Sequence, residues 1–192
     1  MPVLVYLIRH GLTEWSQKGR HTGLTDIPLT ETGENEARRV GDRLSGIEFS
    51  EVVSSPRLRA VRTCALAGIT LKPRIDDDLR EWEYGEYEGL RSAEILSLRP
   101  QWNIFRDGCP GGETAQQISE RADRVVAKLK AGVGNVAVFS HGHFLRALAI
   151  RWVALPIEVG ARLYLNTGSI SVLGFEHDRM DAPVIRLWNE RH

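Results

Sequence analysis

Three short stretches hold the residue types best suited to chemistry. Val3–Ile8 is an unbroken apolar run that stops on Arg9-His10-Gly11, and Asn135–Ser140, with the apolar run Val136–Phe139 at its centre, is a second such segment that stops on His141-Gly142-His143. The third is Ser54-Ser-Pro-Arg-Leu-Arg59, where a hydroxyl followed by proline signals a helix start and places Arg59 in the first turn. If the three meet, they form a pocket of two guanidiniums, two imidazoles and a helix N-terminus. The natural guest of such a pocket is a phosphoryl group, which arginine grips with its planar fork and helix N–H groups solvate.

The elements that must position these residues follow from periodicity and punctuation. Both apolar runs read as strands buried on both faces, and α/β sheets gather ligands where such strands end. Glu51–Ser54 and Pro73–Ile75 are expected as shorter strands. Thr30 caps a helix over Glu31–Leu44, and further helices are expected over residues 56–67, 91–98, 113–130 and 144–153. The stretches 12–30, 76–89 and 100–112 have no clean period and read as structured loops. Arg162–Leu165, Ile170–Phe175 and Val184–Trp188 read as strands adding an antiparallel edge. The expected fold is α/β: a three-layer α/β/α sandwich with a mostly parallel sheet, in one domain spanning residues 1–192.

Composition narrows the function. Twenty-five basic and 25 acidic side chains cancel, so no global field draws nucleic acid or an anionic membrane, and any anion site must be built locally. The N-terminal apolar run is too short to span a bilayer and lacks a signal-peptide pattern. Cys64 and Cys109 form neither a disulfide framework nor a metal motif. A reducing cytoplasm is the expected location.

Four segments match a known family in order. Leu7-Ile-Arg-His-Gly11-Leu-Thr-Glu-Trp15, Ser54-Ser-Pro-Arg-Leu-Arg-Ala-Val-Arg-Thr63, Leu79-Arg-Glu-Trp-Glu-Tyr-Gly85 through Glu88-Gly89, and Ser140-His-Gly142 resemble the histidine phosphatase superfamily, also called phosphoglycerate-mutase-like. The resemblance implies that His10 attacks phosphorus to form a phosphohistidine, with Arg9, Arg59 and His141 holding the non-bridging oxygens. In one branch the acid is an aspartate directly after the second histidine. Gly142 stands there, so the resemblance assigns the acid to Glu81. Ser16, Thr22 and Gly23 match loop positions lining the phosphate pocket, and Arg57 and His21 are further candidates for contact with substrate. No metal and no cofactor are implied.

Other readings stand beside these. Glu83, Glu86 and Glu88 crowd Glu81, and a run of acids is usually a solvated face. His143 is expected either to support the site or to cap the helix that follows. His177 and His192 read as exposed bystanders, and Trp15, Trp82 and Trp102 as packing. A metal-dependent hydrolase using His10, His141 and His143, and a phosphate-binding module without turnover, are the readings from other classes.

Family mutases carry tens of extra residues between the glutamate motif and the later Gly-Gly-Glu stretch. Here Gly89 and Gly111 are close in sequence, and a shorter lid favours hydrolysis. His21–Asp26, Asp77–Gly85 and Trp102–Cys109 further resemble enzymes acting on sugar bisphosphates such as sedoheptulose-1,7-bisphosphate, which makes Arg106 the candidate for a second phosphate. Broad-specificity phosphatase and mutase activity are the alternatives. A small-molecule phosphoester is the expected partner, with a homodimer as the expected form of any self-association.

Overall fold

The computed structural model describes residues 2–191, so the expectation for His192 lies outside the described residues. The two apolar runs become its central strands. β1 (Leu4–Arg9) and β4 (Asn135–Ser140) pair in parallel with Arg9 opposite Ser140. β2 (Glu51–Ser54) joins β4 on its other side, and the two-residue β3 (Arg74–Ile75) completes the parallel part. β5 (Ile170–Phe175) runs antiparallel to β1, and β6 (Pro183–Glu190) antiparallel to β5, giving the order β3-β2-β4-β1-β5-β6.

Period-2 alternation divides each central strand between two cores. Val5, Leu7, Val53, Val136 and Val138 face one side, while Ile8, Val52, Ala137 and Phe139 face the other. Helices α2 (Glu31–Leu44) and α3 (Leu58–Leu66) cover the second face with Val40, Leu44 and Cys64. The first is covered by α6 (Ala115–Lys130) and α7 (Gly142–Trp152), through Ile118, Val125, Phe144 and Leu148 among others. Burying each such large side chain contributes ~1.5–3 kcal/mol. The expected three-layer sandwich with an antiparallel edge is the fold observed.

Local differences from the sequence reading have identifiable causes. A short helix α1 (Glu14–Gln17) interrupts the 12–30 loop because Thr13 and Ser16 form a reciprocal capping box. Pro56 does not open α3. Ser55 N–H bonds the Phe139 carbonyl at 2.9 Å and so continues the sheet, and Asp26 Oδ1 accepts from Leu58 N–H (3.0 Å) as the cap. Asn103 caps a one-turn helix α5 (Ile104–Asp107), which follows α4 (Ser92–Leu98). Arg162–Leu165 is not a strand: a 3-10 segment ends at Arg162, and the Tyr164 and Leu165 carbonyls accept from Trp188 Nε1 and Arg9 Nη1.

Candidate active site

Three parallel strands end side by side, and the next residue of each enters the site. His10 N–H bonds the Ser140 carbonyl (3.0 Å), and Ser55 N–H the Phe139 carbonyl (2.9 Å), so His10, His141 and Ser55 leave the sheet as neighbours. The rings of His10 and His141 have centroids 5.2 Å apart at 58°. Arg59, fully buried on α3, donates from Nε to His141 Nδ1 (3.2 Å). The structure thus brings residues 10, 59 and 141 together from distant points in the chain.

Hydrogen bonding sets the tautomer of each imidazole. His10 Nδ1–H donates to the Gly11 carbonyl at 2.8 Å, which leaves Nε2 as the basic nitrogen. Among the described residues, no protein group bonds that Nε2. On His141, Nδ1 is an acceptor, so the proton is on Nε2 and donates to Ser55 Oγ (2.8 Å). Burial holds both rings well below the ordinary imidazole value, and Arg59 adds to that effect on each. They are neutral at physiological pH.

Arg9 donates from Nη1 to the Leu165 carbonyl (2.5 Å), while its buried Nε has no partner. Its guanidinium lies against Gly142, where a Cβ would stand 3.2 Å from Cζ and Nε. Any side chain at 142 would press on Arg9. Glu81 is buried at the start of α7, where Oε1 accepts from Trp82 and Phe144 N–H (2.9 Å each) and Oε2 from His143 N–H (3.0 Å). The carboxyl therefore occupies the positive end of that helix.

Arg9, His10 and Glu81 open onto a cavity of about 210 Å³, which Ser16, His21 and Thr22 also line. Arg59 and His141 are buried behind His10 rather than on its wall. Gly23 and Arg57 do not line it either. Gly23 lies against the Trp82 carbonyl, and Arg57 precedes α3 with its own Nε unpartnered. Arg106 is displaced altogether: it is exposed, pairs with Asp107 and the Gln101 carbonyl, and borders a separate surface depression. Arg106 thus does not reach the wall of the cavity that holds His10.

The sequence reading passed over Arg146, Arg20 and Tyr164, all on the cavity wall. Arg146 was accessible in principle, since residues 143 and 146 share one face of the helix following His141. Burial lowers its guanidinium to about 10, and its partner is the Gly160 carbonyl (Nη2 at 2.8 Å) rather than a carboxylate. His143 stacks on His21 with centroids 5.8 Å apart at 5°, and its Nδ1 is hydrogen-bonded to Tyr84 Oη (2.7 Å). The three histidines of the metal alternative do not share a focus. Both nitrogens of His141 and Nδ1 of His143 are already engaged.

The sequence pattern of the histidine phosphatase superfamily (branch 1) matches residues 5–191. The chain belongs to that superfamily. An acid phosphatase of Mycobacterium tuberculosis (strain ATCC 25618 / H37Rv) is 42% identical over 185 residues, covering 94% of this histidine phosphatase and 91% of the relative. A sedoheptulose 1,7-bisphosphatase of Saccharomyces cerevisiae (strain ATCC 204508 / S288c) is 36% identical over 221 residues, covering 97% and 79%. The solved structure of an open reading frame product from Mycobacterium tuberculosis superposes with a TM-score of 0.90 at 40% identity, covering 98% of both chains. The histidine phosphatase is a phosphatase by this kinship. Among its described residues, no helix is long and apolar enough to cross a membrane.

Proposed function

We propose that this histidine phosphatase hydrolyses phosphomonoesters through a phosphohistidine at His10, without a metal. The observation that carries the reading is the His10 ring. It is neutral, its Nδ1–H is tied to Gly11, and its basic Nε2 shares a cavity with Arg9. Nε2 attacks phosphorus, the ester oxygen departs with a proton from Glu81, and Glu81 then takes a proton from the water that attacks the phosphohistidine. Inorganic phosphate leaves and the imidazole is restored. Arg9 supplies positive charge on the cavity wall and Arg59 adds to it from behind His10.

The cavity wall supports a substrate with more than one anionic group. Arg9, Arg20 and Arg146 line it against one carboxylate, Glu81. A sugar bisphosphate fits that charge, and the sedoheptulose 1,7-bisphosphatase relative favours the same class. The acid phosphatase relative favours a broader range of small phosphoesters as the second reading. Cys64 and Cys109, both free and buried, suit a reducing cytoplasm.

Rapid quench with a labelled sugar phosphate is expected to trap an acid-labile phosphoenzyme in the wild type and none in His10→Ala. Turnover is expected to survive chelators and to be blocked by vanadate. Undiminished turnover by His10→Ala would refute the mechanism. Equal kcat/KM on sugar bisphosphates and simple aryl phosphates would remove the bisphosphate preference and leave the broader one.

A further inference from the structure

Glu88 belongs to an acidic run that reads as a solvated face, and it is absent from the cavity wall. Its carboxylate nevertheless has a defined task. It accepts from Gly23 N–H through both oxygens (2.9 and 3.0 Å) and from Thr25 N–H (3.1 Å). On the far side of the same loop, the carbonyls of Thr22 (2.8 Å), Gly23 (3.2 Å) and Thr25 (3.0 Å) accept from the Arg59 guanidinium. The Thr22 carbonyl and the Gly23 N–H belong to one peptide unit. A carboxylate therefore sits at its donor end and a guanidinium at its acceptor end, and each charge polarises the group so that it binds the other better.

We propose that Glu88 is a positioning residue for the phosphoryl site, acting through the 22–25 loop on Arg59 and through Arg59 on His141. The proposal rests on the phosphohistidine reading for its consequence in turnover. Arg59 makes no direct hydrogen bond to a carboxylate, so the loop carbonyls are what fix its fork. The loop in turn lies flush on the segment that carries Glu88: a Cβ at Gly23 would come within 2.6 Å of the Trp82 carbonyl. With its fork held, Arg59 presents Nε–H to His141 Nδ1, which keeps the His141 proton on Nε2 facing Ser55. The same segment begins with Glu81, so one short piece of chain positions the acid at one end and the arginine at the other.

The test is a double-mutant cycle on orthovanadate affinity, which needs no turnover. Glu88→Ala is expected to weaken vanadate binding about tenfold or more, the scale of removing a charged acceptor from N–H donors, with Glu88→Gln intermediate because it keeps an oxygen. In an Arg59→Met background the same Glu88 substitutions are expected to cost less than about twofold further. Long-range ¹H–¹⁵N spectra are expected to show a single Nε2–H tautomer of His141 in the wild type and a mixture in Glu88→Ala. Equal losses in both backgrounds would overturn the proposal. So would vanadate affinity and His141 tautomer unchanged by the substitution. If Glu88→Ala does not fold, Glu88→Gln carries the same cycle. A wild type that binds vanadate but forms no phosphoenzyme counts against the mechanism of the preceding section, while the cycle still decides the role of Glu88.

Discussion

At the scale of single residues, the placement of Glu81 makes its replacement by glutamine more than a loss of acidity. Both carboxyl oxygens accept backbone N–H bonds, two on Oε1 and one on Oε2. A glutamine offers one oxygen and turns an NH₂ toward an N–H, two donors face to face. Glu81→Gln is therefore expected to lose stability by about 1–3 kcal/mol. It is also expected to lose kcat by ~10²–10⁴ on alkyl phosphates, the usual contribution of a general acid. On an aryl phosphate, whose leaving group departs without a proton, the first step is expected to be much less affected. Burst kinetics with p-nitrophenyl phosphate would show this as a retained burst followed by slow turnover. An equal loss in burst and steady state would argue that Glu81 does not serve as the acid.

At the scale of elements, the acid segment is held by a side chain far along the sequence. Arg121 of α6 is buried and donates to the carbonyls of Asp78 (2.8 Å), Arg80 (2.7 Å) and Glu81 (3.2 Å), and its Nε and Nη2 grip the Glu113 carboxylate (2.8 and 2.6 Å). Glu113 in turn accepts from Glu83 N–H at 3.0 Å. Removing Arg121 strands a partly buried carboxylate and three carbonyls. Arg121→Met is expected to cost about 3–5 kcal/mol, measured by urea midpoint, with Arg121→Met/Glu113→Gln recovering part of it. This is also where the sequence reading runs out. The central strands and α2 were legible because their apolar periods and caps are local, and His10 and His141 were legible because strand ends are. Arg121, Glu113 and Glu88 act through backbone groups distant in sequence, so composition shows only charges that belong equally well on a surface. Arg106 shows the converse, since its suitable residue type gave no hint that Asp107, its neighbour, already occupied it.

At the scale of the whole molecule, three buried imidazoles and the partly buried His143 should govern stability in mild acid. His10, His141 and His143 are held well below the ordinary value of 6.5, and His21 is lowered too, in each case chiefly by burial. Well above pH 6.5 these rings are neutral in both folded and unfolded chains and contribute no pH dependence. As pH falls through 6.5 the unfolded chain takes up protons that the folded one refuses, so stability drops. Each ring contributes up to ~1.4 kcal/mol per pH unit until its folded value is reached. The paired carboxylates, Asp107 at about 2 among them, add their losses in stronger acid, which separates the two windows. Urea midpoints are expected to fall steadily from pH 7 to pH 5. Replacing His143 with glutamine should lessen that slope by the share of one ring. Saturating orthophosphate should lessen it also, because a bound dianion lets His10 keep a proton in the folded state. A midpoint that stays level between pH 7 and pH 5 would mean that these rings are protonated within the fold, and a charged His10 would have no lone pair to offer phosphorus.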